Sequence, residues 1–595
     1  PPADDRENRY RRLIRTGIAL SAERNHKRLI EMILLEAKEM SRAEGGTVYL
    51  LTEDGSGLSF VIMHNDVLGI AMGGTTGNDI PFAPLRLRDD TGTPNHRNVA
   101  THAALSGHTV VIDDAYEVGE FDFGGTREFD ARTGYRSTSF LAVPLKNHLG
   151  EVVGVVQLIN ARTSDGQVCA FPPDIVPLIE ALAALAAVAL DNQVLIEAQK
   201  RLFKSLVEMI ANAIDAKSPY TGGHCRRVPE LAAMLARAAN EAAEGPFAGF
   251  SLAGEEWYEL EVAAGLHDCG KVTTPEHVVD KAVKLEAVYN RIHEIRTRFE
   301  VLKRDAEIDY LRAVLAGGDK TALAARRDAR LAQLDDDFAF VAKCNIGSET
   351  MAPEQIGRLR QIAATPWMRT LDDSLGLSRE DQSRLAPHRV PAPAAETLLA
   401  DKPQHVIEHC GESIADDNPW GFKIKPTAAR FNLGELYNLS IRAGTLTPED
   451  RYSINDHIVQ TVIMLEALPF PRTLRRVPEW AANHHEKMDG TGYPRGLRLG
   501  EMSIPARIMA IADIFEALTA GDRPYKPPKP LSEAIGIMAA MAKNQHIDRD
   551  LFALFLSAGV HLSYARKFLS PDQIDEVDIS RHLAELGTPR ADKQP

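Results

Sequence analysis

NHHEKMDGTGYPRGL, residues 483–497, brings two adjacent histidines, an acid and a Gly-Tyr-Pro corner into one short stretch. Adjacent histidines also occur at the solvated end of a helix, so the pair predicts a metal site only if other ligand-type residues converge on it. Gly490 and Gly492 allow backbone angles that are closed to other residues. Pro494 fixes the turn, and Tyr493 can present a flat face beside the site.

Further ligand-type residues occur on both sides of this stretch in the chain. In GLHDCGKV, residues 265–272, His267 and Asp268 offer an imidazole and a carboxylate that can bridge two cations. An apolar helical segment leads into them, and burying both without a partner would be costly, so a metal is a natural resolution. Three more stretches each add one residue: SPYTGGHCRRV with His224, GTLTPEDRYSINDHIVQTVIML with His457, and ARIMAIADIFEALTAGDRPYK with Asp513.

The order of these motifs resembles that of the HD-GYP phosphohydrolases. They stand as YTGGHCRRV, HDCGK, LTPEDRYSINDH, HHEKMDGTGYPRGL and IADIFEALTAGDRPYK. The resemblance implies an all-helical bundle whose usual substrate is cyclic di-GMP, cleaved to linear pGpG or on to GMP. We expect this domain in two parts, residues 200–280 and 446–570, with a tail at 571–595.

Carried over residue by residue, the resemblance implies two metal ions per chain. One ion would take His224, His267, Asp268 and Asp513, and the other His457, His484 and His485, with Asp268 bridging. A shell rich in histidine favours iron, manganese or another transition metal over magnesium. Some family members hold a third ion through a Glu four residues before the first histidine; Tyr220 stands there, and a neutral phenol is a poor ligand.

Several basic and acidic residues near the ligands have predicted roles. Lys271 would neutralise phosphate charge in the transition state, which makes it, with Asp268, the expected catalytic pair. Arg523 and Lys526 match family positions that contact phosphate, and a solvated basic loop is the alternative. Glu486 and Asp489 would orient the histidines as hydrogen-bond acceptors, unless they are surface charges.

A long insertion separates the two parts of the domain. Over residues 281–445, apolar residues at three- and four-residue steps predict a helical hairpin that projects from the bundle. They are Leu285, Val288, Ile292, Ile295, Phe299 and Leu302, then Leu331, Leu334, Phe338 and Val341. The hairpin either gates the site or pairs with a second subunit. HVIEH, residues 405–409, fits a zinc-protease pattern, for which no third ligand is evident.

The first third of the chain reads as a small α+β domain. Residues 11–42 predict helix, residues 47–63 and 139–161 predict hairpins, and residues 96–106 predict a helix between them. FDARTGYRSTSFLAVPLKNHLGEVVGVVQLINA, residues 129–161, resembles GAF domains, most closely those of cyclic-nucleotide phosphodiesterases. The resemblance spans residues 24–172, after a helical segment at 1–23, and implies a sensor domain for a small ligand such as a cyclic nucleotide. A GAF domain used only for dimerisation is the alternative.

A helical stretch over residues 173–216 follows the GAF-like domain. Its apolar residues predict a seam for a parallel partner helix, and therefore a homodimer with a signalling linker. Burial against the chain's own domains is the alternative. The seam residues are Leu178, Leu182, Leu185, Leu202, Leu206 and Met209.

Composition limits the class of protein. The 595 residues carry a net charge of -15, which disfavours broad attraction to nucleic acid or anionic membranes. The five cysteines show no CxxC spacing, as expected of reduced thiols in a cytoplasmic protein. The longest apolar run, residues 181–190, is far below the ~20 residues of a membrane span, and we expect no signal peptide.

The leading hypothesis is a cyclic di-GMP phosphodiesterase regulated by its GAF domain. Within enzymes the alternative substrate is cyclic GMP-AMP, because the motifs recognise phosphate and metal and not the base. The alternative outside enzymes is a catalytically silent cyclic-dinucleotide receptor that signals through the inserted hairpin.

Overall fold

The computed structural model describes residues 3–217, 223–347, 350–409, 414–415, 417–521 and 528–587, with side chains from residue 7 onward. It divides into two compact units, Pro1–Phe203 and Lys204–Pro595.

The first unit is an α+β fold. Its elements are α1 Ala3–Ala22, α2 His26–Ser41, β1 Ala43–Leu51, β2 Gly57–Asn65, β3 Ile70–Gly73, β4 Leu85–Arg86, α3 Val99–Ser106, β5 Val110–Ile112, α4 Gly124–Thr133, β6 Phe140–Lys146, β7 Val152–Arg162, β8 Val168–Cys169 and the first part of α5, Val176–Lys217.

Both predicted hairpins are confirmed, and they form the centre of one antiparallel sheet. β1 pairs with β2, with Thr47 opposite Met63, and β6 pairs with β7, with Val143 opposite Val156. The strand order is β3-β2-β1-β7-β6-β5, so the two hairpins meet where β1 pairs with β7.

Alternating side chains cover both faces of this sheet. On β6, Leu141 and Val143 point into a core that includes α2 and α5, whereas Phe140 and Ala142 point into a second core that includes α3. Because β6 is covered on both sides, its sequence reads as a nearly continuous apolar run.

The helix predicted over residues 11–42 is two helices, so that prediction is wrong at one point. Chain direction changes between α1 and α2, where the Asn25 side chain accepts a hydrogen bond from the backbone N–H of Arg28 and caps α2. The cap supplies a partner for an amide that would otherwise have none.

Helix α5 buries apolar residues near its start and exposes apolar residues along the rest of its length. Leu178 and Leu182 are buried in the first unit's core. For these two residues the structure shows the alternative to a seam, which is burial against the chain's own domain. Leu185, Leu202, Leu206 and Met209 are 41–64% exposed. By length and composition α5 is the one helix among the described residues that is able to cross a membrane, and 39% of its most apolar window is buried.

The second unit is mostly helical. Outside the insertion its elements are α6 His224–Asn240, α7 Glu255–Leu266, α8 Glu276–Val279, α14 Pro448–Glu466, α15 Val477–Ala482, α16 Ile504–Thr519, α17 Leu531–Lys543, α18 Arg549–Ser557, α19 Val560–Phe568 and α20 Ile579–Leu586. Within the insertion they are α9 Ile292–Leu315, α10 Lys320–Asn345, α11 Pro353–Ala363, β9 Pro366–Arg369, α12 Arg379–Leu385, β10 Ala394–Thr397, β11 Val406–Ile407, β12 Phe431–Asn432 and α13 Glu435–Leu439.

Helix α14 begins as its sequence predicts. Pro448 occupies the first turn, and the Thr447 hydroxyl accepts a hydrogen bond from the backbone N–H of Asp450, whose carboxylate accepts the N–H of Thr447 in return. This capping fixes the start of the helix that carries His457.

The insertion contains the predicted helical hairpin, α9 and α10, together with two short two-stranded sheets that the sequence did not predict. It has its own hydrophobic core, in which Ile295, Phe299 and Leu334 are buried. Val288 is 90% exposed, so its place on the predicted seam is wrong: it precedes the start of α9.

Two buried lysines close the root of the insertion. Lys281 donates to the Asp450 carboxylate at 2.7 Å, and Lys284 donates to the carbonyl oxygens of Leu439 at 3.0 Å and Ile441 at 2.7 Å. The inserted segment therefore leaves and rejoins the helical unit at one place, directly before α14.

The HVIEH segment does not form a helix. Val406–Ile407 is a short strand paired with Phe431–Asn432, and the His409 side chain contacts the carbonyl oxygen of Thr427. The helical spacing that a zinc-protease pattern requires is therefore absent from this described segment.

Candidate metal centre

The structure brings all seven predicted metal ligands together. Their positions are the start of α6 for His224, the end of α7 for His267 and Asp268, the middle of α14 for His457, the end of α15 for His484 and His485, and the middle of α16 for Asp513. Within the described chain they form two groups whose ligand atoms lie within 4.8 Å of one another.

The first group joins two histidines to two carboxylates. The Nε2 atom of His224 lies 3.3 Å from Oδ2 of Asp268 and 3.2 Å from Oδ1 of Asp513. The Nε2 atom of His267 lies 3.2 Å from the same Asp268 oxygen. All four side chains therefore point at one small volume.

The second group joins three histidines to the other oxygen of the same aspartate. Oδ1 of Asp268 lies 3.3 Å from Nε2 of His457, which is 3.2 Å from Nε2 of His485. His484 completes the group. Asp268 thus directs one carboxylate oxygen at each group, as a bridging ligand must.

Backbone carbonyls set the tautomer of three of these rings. The Nδ1 atoms of His267 and His484 lie 2.7 Å and 2.6 Å from the carbonyl oxygens of Ala264 and Ala481, and Nδ1 of His457 contacts that of Ile454. Each carbonyl lies three residues earlier and accepts from Nδ1–H. The Nε2 lone pair of each ring is then free for a cation.

Several of the converging atoms lack a hydrogen-bond partner although they are buried. They are Nε2 of His224, His267 and His484 and Oδ1 of Asp268. Buried polar atoms are ordinarily satisfied. Ligand atoms about 2.1 Å from a common ion stand about 3.0–3.5 Å apart, close to the separations observed here. The residues present therefore fit two cations.

Two glycines allow the close approaches that build the centre. A Cβ at Gly270 would lie 1.9 Å from the carbonyl oxygen of His457, so only glycine lets the HDCGK turn reach α14. Gly490 has φ +83°, as its predicted role requires. Gly492 does not have a positive φ, but a Cβ at this position would lie 2.3 Å from the backbone nitrogen of Lys487. Gly492 is thus required for space and not for its backbone angle.

Glu516 is a member of the centre that the sequence did not reveal. Its carboxylate, 1% exposed, accepts from Nδ1 of His224 and, at 2.7 Å, from Nε of Arg227. It orients His224 as backbone carbonyls orient the rings of His267, His457 and His484. Its three-residue spacing from Asp513 in IADIFEAL was the available signal, because such residues share a helix face.

Glu486 and Asp489 do not accept hydrogen bonds from the histidines, so that prediction is wrong. Buried Glu486 accepts the backbone N–H groups of Arg495, Gly496 and Leu497 at 2.6–3.0 Å. Asp489 accepts from Thr491. Both acids shape the Gly-Tyr-Pro loop instead, because its turning backbone presents several unpaired amides.

The residues predicted to contact substrate fall into two sets. The Lys271 ammonium pairs with Oδ2 of Asp268, and the Tyr493 ring stacks on His485 with centroids 5.0 Å apart. One face of Tyr493 is thereby occupied by a ligand histidine. Arg523 and Lys526 lie outside the described residues. So does Tyr220, the position at which the sequence lacks a ligand for a third ion.

The histidine pKa values shift in opposite directions in the two groups: nearby carboxylates raise those of His224 and His267, and burial lowers those of His484 and His485. Burial lowers the pKa of His267, but attraction to Asp268 outweighs it and raises that pKa to about 9. The pKa of His224 is likewise held well above its usual value against burial, by the nearby carboxylates of Asp268, Asp513 and Glu516. Burial, with repulsion from His267, lowers the pKa of His484 to about 4, and that of His485 is also lowered well below its usual value.

These shifts predict that protons compete with a cation for His224 and His267 of the first group near neutral pH, whereas they do not compete for His484 and His485 of the second group. His267 must release a proton to bind, so affinity for the first ion should rise by roughly tenfold per pH unit up to about pH 9. His224, whose pKa is also raised, adds to this dependence. Above about pH 5 His484 imposes no such dependence, and the lowered pKa of His485 acts in the same direction. Titration of metal-free protein with Mn²⁺ by calorimetry, in buffers of different ionisation enthalpy, checks this. Parallel pH dependence of both binding steps would contradict it.

Comparison with known families agrees with the two units. The GAF domain family model matches residues 25–190, and the HD domain family model matches residues 376–551. The chain is thus a protein with a GAF domain followed by an HD domain, which confirms the predicted fold class.

Curated relatives refine the class of the HD region. The chain is 47% identical over 76 residues to 3'3'-cGAMP-specific phosphodiesterase 1 of Vibrio cholerae, covering 13% of this chain and 17% of the relative. It is 43% identical over 94 residues to a cyclic di-GMP phosphodiesterase of Thermotoga maritima, covering 16% and 25%. Both relatives are similar to this chain over part of its HD region. The chain spans at most a quarter of the length of these two relatives.

Among solved structures, a methyl-accepting chemotaxis protein (residues 122 to 287) is similar at 20% identity and a TM-score of 0.23, covering 31% of this chain and 99% of that one. The GAF domain of an Acinetobacter phosphoenolpyruvate-protein phosphotransferase is similar at 13% identity and a TM-score of 0.22, covering 31% and 92%.

Proposed function

We propose that this protein is a metal-dependent phosphodiesterase that hydrolyses cyclic di-GMP to pGpG, to GMP or to both. One observation carries the proposal: seven ligand-type side chains from five separate stretches meet in two groups that share the Asp268 carboxylate. The family of the HD region and the names of its relatives support the same reaction.

The proposed cofactors are two transition metal ions per chain, iron or manganese. The first group supplies two imidazoles and two carboxylates, and the second supplies three imidazoles and one carboxylate. This nitrogen-rich donor set suits these metals better than magnesium, which prefers oxygen. When bound, the ions would polarise the phosphate and lower the pKa of a water for in-line attack.

The protein's own residues divide the remaining work. Asp268 holds the two groups at a fixed separation, and Glu516 holds the ring of His224 in place. The pKa of Lys271 is raised, because attraction to Asp268 and Asp513 outweighs its burial, so it keeps its positive charge. That charge would face phosphate oxygens that gain negative charge in the transition state. Arg523 and Lys526 remain predicted phosphate contacts.

The substrate has a specific alternative. The relative that is 47% identical to part of this chain is named for 3'3'-cGAMP. The described centre contains groups that recognise metal and phosphate, which both cyclic dinucleotides present alike. Cyclic GMP-AMP is therefore the second candidate substrate.

The test is an assay of purified protein, loaded with Mn²⁺ or anaerobically with Fe²⁺, against both cyclic dinucleotides with the products resolved. We expect hydrolysis of cyclic di-GMP and, by elemental analysis, two ions per chain. Full metal occupancy with no turnover of either compound would contradict the enzyme and favour a cyclic-dinucleotide receptor. A third fully occupied ion beside His224 would contradict the inference from Tyr220.

We also propose that the GAF domain binds a small ligand, such as a cyclic nucleotide, and regulates a homodimer. The exposed residues Val188, Leu195, Leu202 and Met209 of α5 recur every seven residues, the spacing of a seam between parallel helices. Light scattering at micromolar concentration tests the dimer directly.

A further inference from the structure

The end of the insertion lies against the Gly-Tyr-Pro loop of the metal centre. We call residues 417–425 the strap and residues 490–497 the loop. The backbone N–H of Lys423 in the strap donates to the carbonyl oxygen of Pro494 in the loop at 2.8 Å. In the other direction, Nε of Arg495 in the loop donates to the carbonyl oxygen of Trp420 in the strap at 2.9 Å.

The strap holds its own shape. The Asn418 side chain accepts the backbone N–H of Phe422 at 2.9 Å and donates to the carbonyl oxygen of Phe422 at 3.0 Å. The rings of Trp420 and Phe422 stack with centroids 5.7 Å apart and planes 14° apart. Because its turn is closed by hydrogen bonds and its rings are stacked, the strap is rigid enough to fix the position of the residues that it contacts.

The strap is packed beside the ligands of the second group. Phe422, 4% exposed, lies in a hydrophobic cluster with Val459, Val462 and Ala482. Val459 is two residues after His457 on α14, and Ala482 is two residues before His484. The strap therefore rests on the two backbone segments that supply all three histidines of the second group.

Arg495 connects the strap to the histidine pair. Its NH1 atom donates to Oδ1 of Asn483 at 3.2 Å, and its backbone N–H donates to Oε1 of Glu486 at 2.6 Å. Asn483 and Glu486 are both 1% exposed and directly flank His484 and His485. The guanidinium also lies 5.9 Å from the centre of the Phe422 ring.

We propose that the strap, acting through Arg495, sets the position of His484 and His485, so that the insertion controls the second metal group selectively. Arg495 is then a positioning residue. Its planar guanidinium reaches the Trp420 carbonyl and the Asn483 amide at the same time, which a lysine cannot do. The inference rests on the proposed metal-dependent function for the assignment of the ligands.

Loss of a side chain that orients metal ligands costs about 10–100-fold in metal affinity. For Arg495→Ala we expect that loss in the second group alone, because Arg495 brackets the pair that only the second group uses. Arg495→Lys should fall between this variant and the natural protein. Phe422→Ala removes the strap side of the same contact, so it should weaken the second group in the same way. The double variant should be little weaker than the weaker single variant, because both changes break one connection.

The experiment is a titration of the metal-free full chain with Co²⁺, followed by its visible absorption, with circular dichroism as the check of folding. Arg498→Ala is the matched control, because Arg498 is an exposed arginine three residues along from Arg495. We expect two binding steps in the natural protein and the control, and a selectively weakened step in Arg495→Ala and Phe422→Ala. Equal weakening of both steps, or two unchanged steps in folded variants, would overturn the proposal.

Hydrolysis of cyclic di-GMP is measured in parallel on the same samples. If the natural protein binds two Co²⁺ but hydrolyses no cyclic dinucleotide with Mn²⁺ or Fe²⁺, the proposed function is wrong. The titration would still decide the role of the strap.

Discussion

Replacing Asp268 by alanine should abolish hydrolysis of cyclic di-GMP and remove both metal ions while leaving the helical fold intact. The Asp268 carboxylate directs Oδ2 at His224 and His267 and Oδ1 at His457, so each group loses a ligand at once. Each bound metal contributes several kcal/mol to the transition state, and about 1.4 kcal/mol is a factor of ten in rate. We therefore expect turnover to fall by at least about a thousandfold, with little metal retained by elemental analysis.

Asp456→Asn is the matched control for this variant. Asp456 directly precedes His457, and its carboxylate accepts a hydrogen bond from Gln460 at 3.2 Å. The control removes a charge of the same kind beside the centre without removing a ligand, so it should keep both ions and most of the activity. Normal turnover by a metal-verified Asp268→Ala protein would show that the ligand assignment is wrong.

The second large effect is expected from Lys271→Ala. Its side chain is 27% exposed, so the ammonium can meet both Asp268 and a bound phosphate. Removing a donor that acts on charge developed in the transition state should lower kcat by about a hundredfold or more. We expect KM to change little and both ions to remain, because the variant keeps every ligand.

Lys487→Ala serves as the control, because Lys487 lies two residues after His485 and carries the same charge. Steady-state kinetics and metal analysis on the same preparations separate two roles of Lys271. If the ions are lost together with activity, Lys271 acts by holding Asp268 in place and not by meeting the substrate.

The convergence of seven ligand-type residues was predictable because the motifs that carry them, in this order, resemble those of a known family. HDCGK, the HHEKMDGTGYP stretch and the capped helix before His457 each place the right residue type at a fixed distance from a helix end. The two GAF hairpins were predictable because apolar runs and the turn between them are local signals. The break at Asn25 was missed because the apolar spacing on either side of it continues as if in one helix.

What surrounds the ligands was not predictable. Glu516 meets His224 across 292 positions of sequence, and Arg495 meets the Trp420 carbonyl across 75. Glu486 was expected to serve a histidine and instead holds the loop backbone, because three amides compete for its carboxylate.

The sequence by itself determined the class of the domains, the two GAF hairpins, the capped start of α14, and the residue types able to bind a metal. Tertiary structure alone decided that Glu516 orients His224, that Gly492 is required for space, and that the insertion returns as a strap on the loop. The physical reason is range. Hydrophobic periodicity and capping act within a few residues, whereas a buried carboxylate or guanidinium selects its partners by which atoms the packed chain brings within about 3 Å.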